Sequence, residues 1–135
     1  MRRIEYIVIH CTATRDDATV EAIQGYWRAV LGWRNPGYHF LIDKAGQVHR
    51  LAPLEKVTNG VRGYNHSSIH ISYIGGAGGE DTRTTAQKAS ILNCIREVIQ
   101  TLGYQPVIQG HRDFPGVKKS CPNYDAVSEY SWITV

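Results

Sequence analysis

Three reactive side chains lie close together near the C-terminal end of the sequence. The segment 110–122 contains His111, Lys119 and Cys121, more reactive groups than core packing requires. His10 directly follows an apolar run, so it ends a predicted buried strand, where enzymes often display catalytic groups. Two imidazoles and a thiolate suit zinc, and three protein ligands leave its fourth tetrahedral position open for water. His10, His111 and Cys121 are therefore candidate ligands of one zinc ion.

Each of these residues also has a plainer interpretation. A lone histidine at the end of a strand, such as His10, often does no more than hydrogen-bond in the core. His111 and Cys121 are ten positions apart, which is not one of the tight spacings of common zinc motifs. From residue type and spacing alone, a metal site and ordinary packing therefore both stay open.

Periodic apolar patterns predict the elements that must position these side chains. Alternating or continuous apolar residues predict strands, and apolar residues three and four apart predict amphipathic helices. The strongest helix starts at the capping-box pair Thr84 and Gln87 and ends before Gly103. The predicted strands span 4–9, 38–42, 47–50, 67–74 and 106–109, and the predicted helices span 19–31, 84–102 and 123–132. Because strands alternate with helices, we predict an α/β fold with a single mixed central β-sheet flanked by helices.

The composition is that of an ordinary globular protein. The 135 residues suffice for one domain, predicted to span 1–135, and 42% hydrophobic with 20% charged residues excludes disordered and fibrous classes. The net charge of +3 is scattered rather than gathered in a basic run, so we expect no nucleic-acid partner. The apolar runs have strand length and no signal-peptide pattern occurs, so we expect no membrane insertion and a chain that is cytoplasmic as synthesised.

The three cysteines argue against an extracellular disulfide scaffold, because one thiol must stay unpaired. Cys94 falls in the strongest helix as a core residue, and Cys11 should point away from the face of the preceding histidine. Only Cys121 has the polar, loop-like setting of a ligand. By the same alternation, His39 should lie on the opposite face of the sheet from Tyr38, which suggests a structural role for it.

Four ordered motifs give the sequence a family resemblance. They are Ile-Val-Ile-His-Cys-Thr-Ala-Thr at 7–14, Gly-Trp at 32–33 with Gly-Tyr-His-Phe at 37–40, Gly-Tyr-Asn-His-Ser-Ser-Ile at 63–69, and Gly-His-Arg-Asp at 110–113 with Lys-Ser-Cys-Pro at 119–122. The motifs extend over most of the chain, and their order is far more specific than any one of them. In this respect the sequence resembles the type-2 family of zinc-dependent N-acetylmuramoyl-L-alanine amidases, which includes small phage lysins and peptidoglycan recognition proteins.

The resemblance implies a fold and a reaction. It implies the mixed α/β fold of these amidases, with His10, His111 and Cys121 as zinc ligands. The implied substrate is the amide bond between the lactyl group of N-acetylmuramic acid and L-alanine. Tyr38 and Lys119 are the implied catalytic residues that bind the developing oxyanion, although by type alone they are a packed aromatic and a surface charge. No glutamate lies within the motifs, so the general base stays unassigned.

The predicted contacts with substrate are less specific. The resemblance suggests Asn65 and His66 as groove residues, and Trp33 offers an aromatic face for a sugar but suits the core equally well. Two positions depart from the family pattern, because His70 stands where glycine is usual and Gly60 stands where related lysins often carry a histidine. These departures concern the substrate contacts rather than the metal.

The predicted partner is peptidoglycan or its soluble muropeptides, bound by a monomer. We favour a phage or prophage-type lysin, because the chain is small and carries no extra insertions. Three alternatives stay open. They are a non-catalytic peptidoglycan-binding module, which would lack a zinc ligand, a regulator that binds a protein partner on the same fold, and a cytoplasmic amidase that recycles muropeptides.

Overall fold

A five-stranded mixed β-sheet forms the centre of the computed structural model, which describes residues 1–134. The strands are β1 (Tyr6–Cys11), β2 (Phe40–Ile42), β3 (Val48–Arg50), β4 (Ser68–Tyr73) and β5 (Val107–Gly110), and the helices are α1 (Val20–Ala29), α2 (Thr85–Leu102) and α3 (Ala126–Glu129). The strand order is β3-β2-β4-β1-β5, in which β3 pairs antiparallel with β2 and the other neighbours pair parallel. The predicted fold class is therefore confirmed.

Several elements have different bounds from those that the sequence predicts. β1 runs from Tyr6 to Cys11 instead of over 4–9, so His10 lies within the strand, and β2 begins at Phe40 instead of residue 38. α3 covers four residues, because Asp125 caps its first turn and Tyr130 already leaves the helical conformation. Strand ends depend on ladder partners, and apolar periodicity does not show where those partners stop.

One face of the sheet packs against α2. The apolar side chains that meet there are Ile7, Ile9, Ile69 and Ile71 from the strands and Ile91, Cys94, Ile95 and Val98 from the helix. The predicted capping box is present, since Thr84 and Gln87 each accept a hydrogen bond from the backbone N–H of the other. Gly103, with φ of 78°, ends the helix in the left-handed conformation. Although α2 is the longest helix, no helix within residues 1–134 is both long and apolar enough to cross a membrane.

The opposite face of the sheet carries buried polar side chains on β4 and near the end of β1. Ser68, His70 and Ser72 of β4 and His10 of β1 are all buried there. α1 covers the neighbouring part of this face through a separate apolar cluster, formed with Leu41 of β2, that includes Ile23 and Trp27. Buried polar side chains need partners, so this face identifies the part of the molecule where specific contacts must be sought.

Candidate metal centre

The ends of two neighbouring parallel strands bring His10 and His111 together. The register of β1 and β5 pairs Ile9 with Gly110, so the next residue of each strand lies at the same edge of the sheet. His111 opens a short 3₁₀ turn, and its ring centroid lies 5.0 Å from that of His10. In parallel α/β sheets, ligands bind at the carboxyl ends of the strands, which is where both imidazoles lie.

Cys121 reaches the same edge from the loop that follows β5. The backbone N–H of Cys11 donates to Sγ of Cys121 at 3.1 Å, and the backbone N–H of Arg112 donates to its carbonyl oxygen at 2.9 Å. The loop can approach the strand closely because residue 110 is glycine. A Cβ at Gly110 would lie 2.6 Å from Cδ of Pro122. The thiol is therefore positioned by backbone groups rather than by a flexible side-chain contact.

The donor atoms of His10, His111 and Cys121 form a cluster that suits a metal ion. One ligand atom from each lies within 4.8 Å of the others, and Nδ1 of His10 is 4.0 Å from Sγ of Cys121. Zinc bonds to nitrogen and sulfur are about 2.0–2.3 Å long, so donors about 4 Å apart can reach one ion after a small movement. Two imidazoles and a thiol, without a fourth protein donor in the cluster among residues 1–134, fit zinc in a site of the catalytic type.

The electrostatic setting favours the metal-binding form of the two imidazoles, but not that of the thiol. Burial lowers the pKa of His10 well below its usual value, and burial together with the Lys119 ammonium lowers the pKa of His111. A hydrogen bond with Cys11 and burial raise the pKa of the Cys121 thiol. Neutral imidazole is the form that binds metals, and a metal ion supplies the positive charge that allows a buried thiol to lose its proton.

A cavity of about 170 Å³ opens over the three donors, and Tyr38, Lys119 and Trp33 line it. The Tyr38 ring centroid lies 5.0 Å from that of His10, and its hydroxyl donates to the carbonyl oxygen of Cys11 at 3.4 Å. Burial raises the pKa of Tyr38, so the phenol keeps its proton and acts as a hydrogen-bond donor. Lys119 is exposed, and its ammonium brings positive charge to the mouth of the cavity.

A larger open cleft of about 470 Å³ continues from this cavity along α1. The cavity and the cleft share Thr12, Ala13, Trp27 and Tyr38. The apolar spacing of 19–31 predicts an amphipathic helix and does not predict that this helix forms a wall of the cleft. The available signal was Tyr26, an aromatic residue beside the buried Trp27 that the helical stripe does not include and that is 53% exposed.

Asn65 and His66 lie outside both the cavity and the cleft. They form a short 3₁₀ turn that leads into β4, and His66 is exposed in this turn. The side-chain oxygen of Asn65 accepts from the backbone N–H of Val61 at 2.7 Å and lies 2.9 Å from Nε2 of His70. The carboxamide of Asn65 is thus engaged inside the protein, and the substrate role of both residues stays a prediction.

Arg2 ties the loop that carries this turn to the rest of the protein. Its guanidinium donates to the carbonyl oxygens of Asn65 and His66 at 3.2 and 3.0 Å. It also donates to those of Leu54 and Lys56 at 2.9 and 2.8 Å. One side chain thereby supplies donors to both ends of a long irregular loop, which gives that loop a defined position beside the site.

The prediction that His39 faces away from Tyr38 is wrong. His39 is fully buried and stacks against His70 with ring centroids 6.0 Å apart, on the sheet face that carries His10. Its Nδ1 also accepts from the backbone N–H of His70 at 3.0 Å. Alternation fails here because the strand begins only at Phe40, and Tyr38 lies in the irregular backbone before it.

His70, to which the sequence assigns no role, contacts a proposed ligand directly. Its Nδ1 lies 2.8 Å from Nε2 of His10, and both rings are buried. The available signal was the alternation of Ser68, His70 and Ser72 along one predicted strand, because polar side chains on one face of a buried strand require partners.

Comparison with known proteins now identifies the family. Residues 1–124 match the family described as N-acetylmuramoyl-L-alanine amidase. The chain belongs to this amidase family. An endolysin of Enterobacteria phage K11 is 32% identical over 122 residues, which span 87% of this chain and 79% of the relative. Peptidoglycan-recognition protein SC2 of Drosophila melanogaster is 28% identical over 137 residues, which span 93% of this chain and 72% of the relative.

Solved structures agree with the amidase assignment. The endolysin N-acetylmuramoyl-L-alanine amidase LysCS from Clostridium intestinale URNW superposes with a TM-score of 0.79 at 25% identity, covering 92% of this chain and 78% of that structure. The family resemblance, the fold and the enzyme class predicted from the four motifs are therefore confirmed.

Proposed function

We propose that this amidase is a zinc-dependent lysin of the phage or prophage type. It cleaves the amide bond between the lactyl group of N-acetylmuramic acid and L-alanine of the stem peptide. The observation that carries the proposal is the convergence of His10, His111 and Cys121 below a cavity lined by Tyr38 and Lys119. Nitrogen and sulfur donors favour zinc over magnesium or calcium, which prefer oxygen. The family match and the phage endolysin relatives support the substrate class.

The three ligands are oriented before any metal arrives. His10 offers Nδ1, because its Nε2 is engaged with His70 and its Nδ1 faces Sγ of Cys121. The backbone N–H of Cys11 directs the thiol of Cys121. When bound, zinc supplies a Lewis acid and a water of lowered pKa, the two requirements for hydrolysing an unreactive amide.

Tyr38 and Lys119 are placed to stabilise negative charge on the amide oxygen. The hydrogen bond from Tyr38 to the carbonyl of Cys11 is long at 3.4 Å, so a substrate oxygen can replace that acceptor. The Lys119 ammonium stabilises the charge that develops in the tetrahedral transition state. Within the described residues, the cavity lining includes no carboxylate, so no residue is assigned as general base.

The cleft along α1 is the proposed binding groove. The scissile amide lies over the cavity, and the glycan or stem peptide extends along the cleft. Trp33 offers an aromatic face within the cavity, and Asn65 and His66 remain proposed contacts for more distant parts of the substrate. We further propose that the enzyme is a monomer with one domain over 1–135, made in the cytoplasm and released to act on the wall.

The test is a digestion of purified peptidoglycan by the zinc-loaded protein, with Cys121→Ala as the matched control and mass spectrometry of the products. We expect new free L-alanine amino termini and intact glycan strands from the parent protein only. A parallel digestion of soluble muropeptides separates a lysin from a recycling enzyme, because a lysin cleaves intact sacculi. Bound zinc without cleavage of either substrate would contradict the proposal.

A further inference from the structure

A line of hydrogen bonds joins the loop before β4 to the candidate metal centre. The backbone N–H of Val61 donates to Oδ1 of Asn65 at 2.7 Å, and Nε2 of His70 lies 2.9 Å from the same oxygen. Nδ1 of His70 lies 2.8 Å from Nε2 of His10. Nδ1 of His10 then faces Sγ of Cys121 at 4.0 Å. The line begins at a backbone amide and ends at a proposed ligand atom.

The first group in this line sets the direction of every later bond. A backbone N–H can only donate, so Val61 identifies the acceptor atom of the Asn65 carboxamide. An acceptor oxygen requires a proton on Nε2 of His70. A neutral imidazole has one donor and one acceptor nitrogen, so the other nitrogen of His70 carries a lone pair and accepts. Nε2 of His10 must then hold a proton, which leaves the lone pair of His10 on Nδ1.

We infer that His70 is a positioning residue that holds His10 in the Nε2-protonated tautomer and so presents Nδ1 to the metal. For its functional meaning the inference rests on the proposed metal centre, but the hydrogen bonds exist in the chain without a metal. The second ring nitrogen of a metal-bound histidine generally donates a hydrogen bond to a group that fixes the orientation of the ring. Loss of that group commonly lowers metal affinity about 10- to 100-fold. Here the partner is a second imidazole.

Neighbouring residues confine the ring of His70. A Cβ on Gly60 would lie 2.3 Å from Nδ1 of His70, so the ring occupies space that any other residue at position 60 would invade. On another side, His39 stacks against the ring at a centroid distance of 6.0 Å. The ring is thus confined between a glycine and a second imidazole, which is what a residue that orients a ligand requires.

Two substitutions, to side chains with the same number of heavy atoms, test the loss of the hydrogen-bond acceptor separately from the loss of the ring. His70→Asn keeps an acceptor oxygen close to the position of Nδ1, and His70→Leu has the same branching without an acceptor. Zinc affinity is measured for the parent and both variants by competition with a chromogenic chelator. We expect His70→Leu to bind zinc about 10- to 100-fold more weakly than the parent, and His70→Asn to stay close to the parent.

The tautomer itself is measured from long-range ¹H–¹⁵N spectra of the metal-free protein. His10 should carry its proton on Nε2 in the parent and in His70→Asn, and should populate both tautomers in His70→Leu. A parent protein with the proton of His10 on Nδ1 would overturn the inference, and so would equal zinc affinity in His70→Leu and the parent. The parent spectrum identifies the tautomer even if His70→Leu does not fold.

These measurements also separate the inference from the proposed function. A parent protein that binds no zinc contradicts the proposed metal centre, whatever the tautomer of His10. Tight zinc binding together with the wrong tautomer overturns the role of His70 alone.

Discussion

The two faces of the central sheet are equally buried and are stabilised in different ways. Ile9 and Ile71 on one face and His10 and His70 on the other are each at most 1% exposed, although they are neighbours in sequence. The isoleucines pack against α2, where non-directional apolar contact is sufficient. The buried histidines require hydrogen-bond partners, and both ring nitrogens of His70 have one, of which His10 is the candidate metal ligand. Burial alone therefore does not distinguish a core residue from a functional one, whereas the need for partners does.

The largest expected effect on stability lies on the apolar face. Ile71→Ala removes a fully buried side chain and leaves a cavity against α2, so the free energy of unfolding should fall by about 2–5 kcal/mol. Urea unfolding of the metal-free protein measures it. Val127→Ala is the control, because Val127 is 48% exposed. A loss no larger than that of the control would show that this face is not close-packed.

Among the residues of the candidate site, the largest expected effect is on catalysis and not on stability. Lys119→Ala should lower kcat about 10²- to 10³-fold, since one oxyanion donor commonly contributes about 2.7–4 kcal/mol. Unfolding should be unchanged because Lys119 is exposed. Lys118→Ala is the matched control, as Lys118 is also exposed but is not among the cavity residues. Wild-type turnover in both Lys119→Ala and Tyr38→Phe, with zinc bound, would refute the assignment of these two groups.

The polar face should make stability depend on pH between about 6.5 and 4. Burial lowers the pKa of His39 from 6.5 to about 4, and it lowers those of His10 and His70 as well. As pH falls below 6.5, the unfolded chain takes up protons that the buried rings do not, so stability is full above 6.5 and is lost towards 4. His39 alone contributes about 3 kcal/mol of this change.

Unfolding of the metal-free protein measured at several pH values checks this dependence. Ile71→Ala should lower the curve by the same amount at each pH and leave its slope unchanged, because an apolar contact does not titrate. If the free energy of unfolding of the parent is constant between pH 6.5 and 4.5, protonation of the buried rings does not destabilise the folded protein.

Zinc binding should stabilise the protein through the residues of the polar face and should not change the packing on the apolar face. Zinc at about 100 times its dissociation constant should raise the free energy of unfolding by about 2.7 kcal/mol. Calorimetry with zinc and then with excess chelator measures the rise and its reversal. Cys121→Ala should lose most of this gain, whereas Ile71→Ala should keep it. No change in Tm on chelation of a zinc-loaded parent would argue against the three-ligand site.

Prediction from sequence succeeded where the signal was local or was carried by motif order. The capping box of Thr84 and Gln87 and the helical stripe that follows it depend on near neighbours, and both are present. The order of the four motifs identified the amidase family, which the match over residues 1–124 confirms. The face of His39 was predicted wrongly, because alternation was applied across the start of a strand that only pairing with neighbouring strands defines. The one-domain extent over 1–135 stays a prediction.

Gly60 and His70 show what the linear sequence cannot connect. In the sequence they are two separate departures from the family pattern, ten positions apart. In the structure they are one feature, because the ring of His70 fills the space directly beside Gly60. The two residues become neighbours only when the loop before β4 folds back over that strand.

The sequence by itself determined the order of the main elements, the family and the residue types of the candidate metal site, because periodicity, capping and motif order are properties of the linear chain. Only the tertiary structure showed that Nδ1 of His10 faces Cys121, that the Asn65 carboxamide is hydrogen-bonded inside the protein and that α1 forms a wall of the cleft. Which ring nitrogen is free to bind a metal depends on partners from three separate segments. Strand register and loop packing bring those partners within hydrogen-bond distance, and neither is written in any one segment.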